Sequence, residues 1–439
     1  MAVRRGVIVV LVLIFMAVAV SVLGLVFVGL TMGRGPQVAA NSTLVLEING
    51  DLLENEPAGV FDQLFDAPPT VRSVVDSLRK AAVDSRVTSV VLRPTDNAAL
   101  WGKVQEVRDA VVAFKRSKKP IVAFLESGGD QQYYLASACD KVFLMPTASL
   151  DLTGMANYEL FLRGALDKIG ALPDAIHVGD YKTASNTFTE HSFTPAHREM
   201  AQALNSDLYG QLVSGIAEGR QKTVSEVRQL IDHGPFLPED AVRAGLVDDL
   251  AYQDELDDKV KLGRGSIQAL RQADYRQVTP QSLGLNRGPR IALIYAVGMI
   301  NTGASSEGSM TGQVLGSDTM VEYLRKARAD DSVRAIVLRI DSPGGSAVAS
   351  DVIWREIMLT REKKPVIASM SDVAASGGYY IAMPAHTIVA QPATLTGSIG
   401  VFGGKFAIAG TLDHLGITTG TIASGVLPRA SATLVMNVR

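Results

Sequence analysis

Cysteine is almost missing: Cys139 is the only one in 439 residues. A single thiol excludes an intrachain disulfide and a cysteine-based metal site. Its neighbours, YYLASACDKVFLMP, mark it as a small buried residue. Histidine is scarce as well. The six present, at 177, 191, 197, 233, 386 and 414, form no i,i+4 pair and no H-E-x-x-H pattern. Nothing in their spacing favours a catalytic histidine, and no metal or cofactor is expected. A basic face is lacking too. With a formal net charge of −3 and 20% charged residues, the chain is not expected to bind nucleic acid. Lysine-rich FKRSKKP reads as a solvated helix end.

What the chain has is apolar content, 47% of residues. Combined with this length it implies two or three globular domains. The first 31 residues stand apart. They carry no charge after Arg5 and hold roughly 25 consecutive apolar or small residues. That is enough to span a bilayer core of roughly 30 Å. A cleaved signal has a shorter apolar core and a small-residue cleavage site, so residues 1–31 read as a retained transmembrane signal anchor. Arg4 and Arg5 place the N-terminus in the cytoplasm and the rest of the chain outside it, at the inner (plasma) membrane of a bacterium.

The chain also repeats itself. LRKAAVDSRVTSVVLR (78–93) aligns with LRKARADDSVRAIVLR (324–339), KKPIVA (118–123) with KKPVIA (363–368), and YYLASACDKVFLMP (133–146) with YYIAMPAHTIVAQP (379–392). The offset stays at 245 or 246 residues, so a tandem duplication is expected. Apolar strands alternate with amphipathic helices in each copy, which indicates an α/β fold with a largely parallel sheet. The reading is a first repeat at 42–250, a polar linker at 251–288 and a second repeat at 289–439. On this offset Arg439 corresponds to Phe193, so the second repeat is expected to be C-terminally incomplete.

The copies differ where chemistry would sit. In the second, the strand AIVLRI runs into DSPGGS (341–346), opposite TDNAAL in the first. Ser376 and Gly377 of AASGGYY fall opposite Asp130 and Gln131. Turns after successive parallel strands lie at the strands' carboxyl ends, where α/β sheets bind ligands. Gly344 or Gly345 can bring a backbone N–H close to a substrate carbonyl, and the Gly377 N–H would be a second donor. Two such donors make an oxyanion hole, so Ser376 is a candidate acyl-transfer nucleophile. A serine needs a base, and a lysine kept neutral by burial can serve. Spacing alone singles out no lysine. Lys182 in VGDYKTASNTF has the default reading of a solvated loop residue. If that segment is extended, alternation puts Asp180 on the same face as Lys182, where its charge would favour the ammonium.

DSPGGS, AASGGYY, LTGSIGVFG (395–403) and VGDYKTA together resemble the signal peptide peptidase A (protease IV) family in its long two-repeat form. The resemblance extends to about residue 428. It implies a crotonase/Clp-protease-like unit in tandem, preceded by one transmembrane helix, and a membrane-anchored serine endopeptidase. The implied site is a dyad of Ser376 as nucleophile and Lys182 as base, with Gly344 and Gly377 as oxyanion donors. One site would then be divided between the two copies. The implied substrates are cleaved signal peptides and other unfolded apolar peptides, and the implied assembly is a homo-oligomer. The alternative is a truncated, inactive homologue acting as a membrane-tethered binding or assembly subunit. An acyl-CoA enzyme of crotonase type is a third reading, disfavoured by the anchor and the Ser-Gly-Gly motif.

Overall fold

The computed structural model describes residues 14–22, 38–50, 52–55, 68–260, 268–308, 312–418 and 420. Residues 14–22 are helical, with Phe15 and Val20 exposed. Among the described residues no helix is long and apolar enough to cross a membrane. Most of the expected anchor, 1–31, lies outside them, as does the end of the chain from 421.

Two parallel sheets carry the chain. The first is built from β1 (Ser42–Gly50), α1 (Val71–Val83), β2 (Val87–Asn97), α2 (Trp101–Lys115), β3 (Ile121–Leu125), α3 (Asp130–Ala136) and β4 (Lys141–Leu144). The excursion that follows holds β5 (Leu172–His177) and the long helix α4 (Pro195–Arg220). β6 (Asp249–Leu250) and β7 (Gln268–Arg271) complete a sheet ordered β6-β4-β3-β2-β1-β7. The stretch 251–288, read from its polarity as a linker, therefore contributes an edge strand. It also contributes Tyr275, which is fully buried.

The second sheet is built from β8 (Arg290–Val297), α5 (Ser317–Ala329), β9 (Val333–Ser342), α6 (Ala347–Arg361), β10 (Val366–Ala375), α7 (Gly377–Ala382) and β11 (Thr387–Val389), in the order β8-β9-β10-β11. β12 (Leu395–Gly397) lies beside the end of β10, with Val373 opposite Leu395. Registers match between the sheets. Ser42 of β1 pairs with Val87, and Arg290 of β8 pairs with Val333.

Local sequence accounts for these elements. β-branched runs buried on both faces suit parallel strands, and Val90, Leu92, Ile336 and Leu338 are all inaccessible. α1 buries Val71, Val74, Leu78 and Ala81, an i, i+3, i+7 stripe facing the sheet. Its start is capped by Thr70, whose hydroxyl accepts the Ser73 N–H at 3.0 Å. Cys139 is a packing residue: it is buried, and burial pushes its thiol up to about 12.

Two features join the sheets. β13 (Phe402–Ala407) pairs antiparallel with β5, setting Phe402 opposite His177 and Ala407 opposite Leu172. The second is a buried ionic network. Asp372 of β10 accepts the N–H groups of Leu100 (2.8 Å) and Lys103 (2.7 Å), capping α2 from the other sheet. Gly102 permits that approach, because a Cβ there would lie 2.9 Å from Ser371 O. Lys103 Nζ is 2.8 Å from Asp341, and Arg339 bonds Glu54 and Glu106 at 2.7 Å each. Asp341 and Asp372 stand just before the two turns described below, so the network holds those strand ends against the first sheet. Arg339→Met would take the guanidinium from buried Glu54, leaving it only the Ser371 hydroxyl and Lys103 Nζ at 3.9 Å. It is expected to destabilise the chain by about 3–5 kcal/mol, read as a lower urea midpoint with an unchanged m-value.

Candidate active site

β10 ends in a sharp turn at Ser376. The residue sits at φ 52° and ψ −113°, a conformation that glycine adopts easily and serine does not. Its N–H donates to Gly397 O at 2.8 Å and its carbonyl accepts from Tyr380 N at 2.9 Å, so the strained turn is held at both ends. The glycines beyond it are needed for close packing. A Cβ on Gly377 would meet Ser350 Oγ at 2.5 Å, and one on Gly378 would meet Ser342 O at 2.6 Å. The Gly377 N–H opens α7 and has no intrahelical acceptor there.

The Pro-Gly-Gly turn after β9 lies against this serine. Gly344 has φ +100°, and a Cβ on it would fall 2.6 Å from Gly377 N and 2.8 Å from Ser376 Cβ. Its carbonyl accepts from Ile300 N at 2.8 Å. Its N–H donates to Ser342 Oγ at 3.1 Å, and that buried hydroxyl donates onward to Gly298 O at 2.6 Å. Both glycines expected to act as oxyanion donors thus lie beside Ser376, with the Gly344 N–H engaged by Ser342.

Lys182 arrives from the excursion between β4 and β6. The β5–β13 pairing continues through Val178 N to Val401 O at 3.1 Å, after which the chain turns, with Lys182 N donating to Gly179 O at 3.2 Å. The turn corrects the extended reading. Asp180 and Tyr181 face solvent, whereas Lys182 is 4% exposed. Alternation along a strand does not apply in a turn, so Asp180 shares no face with the lysine. Burial is what lowers the Lys182 pKa from its ordinary value. The amine donates to the Ser398 carbonyl and, at 3.0 Å, to Ser398 Oγ.

Gly397 and Ser398 are consecutive. The first accepts the Ser376 amide and the second accepts the Lys182 amine, so both predicted residues are anchored on one dipeptide. Ser398, at φ 45°, received no role from the sequence. LTGSIGVFG offered the only signal, a serine in a glycine-rich stretch whose partner lies far away in the chain.

Fold and site define a class: a parallel α/β protein in which a serine in a strained turn and a buried lysine are each hydrogen-bonded to one loop. The description "Peptidase family S49" matches residues 113–265 and 358–437. "Serine protease SPPA, chloroplastic" of Arabidopsis thaliana is 36% identical over 398 residues, covering 89% of this chain and 58% of that protein. "Protease 4" of Salmonella typhi is 32% identical over 440 residues, covering 93% and 70%. "Protease 4" of Haemophilus influenzae is 31% identical over 381 residues, covering 82% and 60%. The chain belongs to peptidase family S49. It spans 58 to 70% of the length of these relatives.

Proposed function

We propose that the chain is a serine endopeptidase with a Ser376/Lys182 dyad, assembled between two copies of one duplicated unit. The observation carrying this reading is the shared anchorage of both residues on Gly397–Ser398. Neutral Lys182 takes the proton from Ser376 Oγ as the oxygen attacks the scissile carbonyl, then delivers it to the leaving amine. Water attacks the acyl-enzyme in the second half, with the same lysine as base. Charge developing on the carbonyl oxygen is met by the Gly377 N–H and by the Gly344 N–H. An oxyanion is a stronger acceptor than the neutral Ser342 hydroxyl and displaces it.

The substrate class follows from the rim. Ile176, Val178, Ile399, Val401 and Phe402 are all more than half exposed on the segments that carry Lys182 and Ser398. An apolar peptide lacking its own fold covers such a surface, which fits cleaved signal peptides. The anchor at 1–31 would tether the site outside the cytoplasm, and copies of the chain would associate around it.

Turnover of an internally quenched apolar peptide by the full chain tests the reading. A folded chain without turnover would instead leave a membrane-tethered binding subunit. Ser398→Ala keeps the carbonyl that accepts from Lys182 but loses the hydroxyl. It is expected to lower kcat about tenfold with KM unchanged, the cost of one positioning hydrogen bond, read by steady-state kinetics on the same peptide.

A further inference from the structure

The two sheets treat the same edge differently. In the first, β7 pairs parallel with the start of β1, setting Gln268 opposite Ser42 and Arg271 opposite Val45. The helical turn Gln272–Tyr275 follows and is received by the last turn of α1. Lys80 Nζ donates to the carbonyls of Tyr275 (3.1 Å), Arg276 (3.2 Å) and Val278 (2.9 Å), while Asp84 accepts the Tyr275 hydroxyl at 3.2 Å. In the second sheet the matching residues are present, Lys326 Nζ paired with Glu322 at 2.6 Å and Asp330 accepting from Ser332 on the surface. Lys326 and Asp330 hold the same places at the end of α5, with Asp330 N bonded to Lys326 O as Asp84 N is to Lys80 O. Among the described residues, no strand pairs with the outer edge of β8.

That edge borders a groove of about 840 Å³ lined by Leu293, Tyr295, Thr319, Tyr323, Lys326 and Asp330. Exposure records the contrast. Thr43 of β1 is 2% exposed, whereas Ile291, at the same register in β8, is 58% exposed. The Lys80 residue is 3% exposed and the Lys326 side chain 70%.

We propose that this edge and groove bind a polypeptide segment of the same kind as 268–278. The segment would be a short strand added parallel to β8, followed by a helical turn whose last carbonyls meet Lys326 and whose tyrosine hydroxyl meets Asp330. Strand addition supplies main-chain hydrogen bonds to the unpaired edge. The cation at the turn's C-terminal carbonyls and the carboxylate at the hydroxyl set direction and register.

A fluorescent peptide of sequence QALRQADYRQVT (residues 268–279), titrated into the purified full chain, tests this. Saturable binding is expected, with slower amide exchange over 290–293. Lys326→Ala is expected to weaken it about tenfold, and Asp330→Asn or a phenylalanine in place of the peptide's tyrosine should weaken it as well. Both altered protein residues are exposed, so circular dichroism should match the parent. Absence of saturable binding overturns the proposal, as does affinity unchanged in both protein variants. So does a dimer by light scattering that Ile291→Asp dissociates, since a second copy would then be the occupant of the edge.

Discussion

Ser376→Ala is expected to remove peptide hydrolysis, lowering kcat by on the order of 10⁴ to 10⁶ with KM unchanged. The size follows from what is lost. Without Oγ there is no acyl-enzyme, and only the amide donors and substrate binding remain to accelerate direct attack by water. Alanine is no worse suited than serine to φ 52° and ψ −113°, and the turn is held through Ser376 N and O rather than its side chain. The fold should therefore survive, and an unchanged thermal midpoint beside the lost activity separates chemistry from unfolding. Residual kcat within tenfold of the parent would place the nucleophile elsewhere.

Lys182→Arg is the second large effect, expected to cost about 10² to 10⁴ in kcat. Arginine keeps donors toward Ser398 but stays charged, because it cannot give up its proton in a protein. A structural lysine would tolerate this exchange far better than a base. The pH dependence carries the same signature. Neutral amine is the active form, so kcat/KM should rise with pH and level off above the Lys182 pKa. Burial moves that midpoint below the ordinary 10.5. In Lys182→Arg the limb should disappear. If the parent's kcat/KM instead falls over this range, or the limb persists in the variant, Lys182 is not the base.

Much of the architecture was legible because its causes are local. Runs such as SVVLR and AIVLR are buried strands wherever they occur, and the apolar stripe of VRSVVDSLRKAAV needs only one face to pack against. The sharp turn at 376–378 was legible through Ser-Gly-Gly, because close packing at Gly377 and Gly378 leaves no room for a side chain. The stretch 251–288 was misread for a related reason. A polar helix at Gln253–Val260, four residues of edge strand and a few scattered buried side chains carry too little periodicity to outweigh a polar average. Asp180 was misplaced because alternation assumes a strand, and a four-residue turn at Gly179–Lys182 reverses which side chain faces inward.

By itself the sequence determined the strands, the helices, the paired glycine turns and a serine poised beyond one of them. Tertiary structure alone decided what surrounds that serine. Lys182 and Ser398 are 216 residues apart and meet because β5 pairs with β13, a contact no local pattern encodes. The lysine's lowered pKa, the part of Ser398, the tie between Gly344 and Ser342, and the charge network behind both turns all depend on which groups exclude water from one another. Desolvation belongs to the packed chain and to no residue within it.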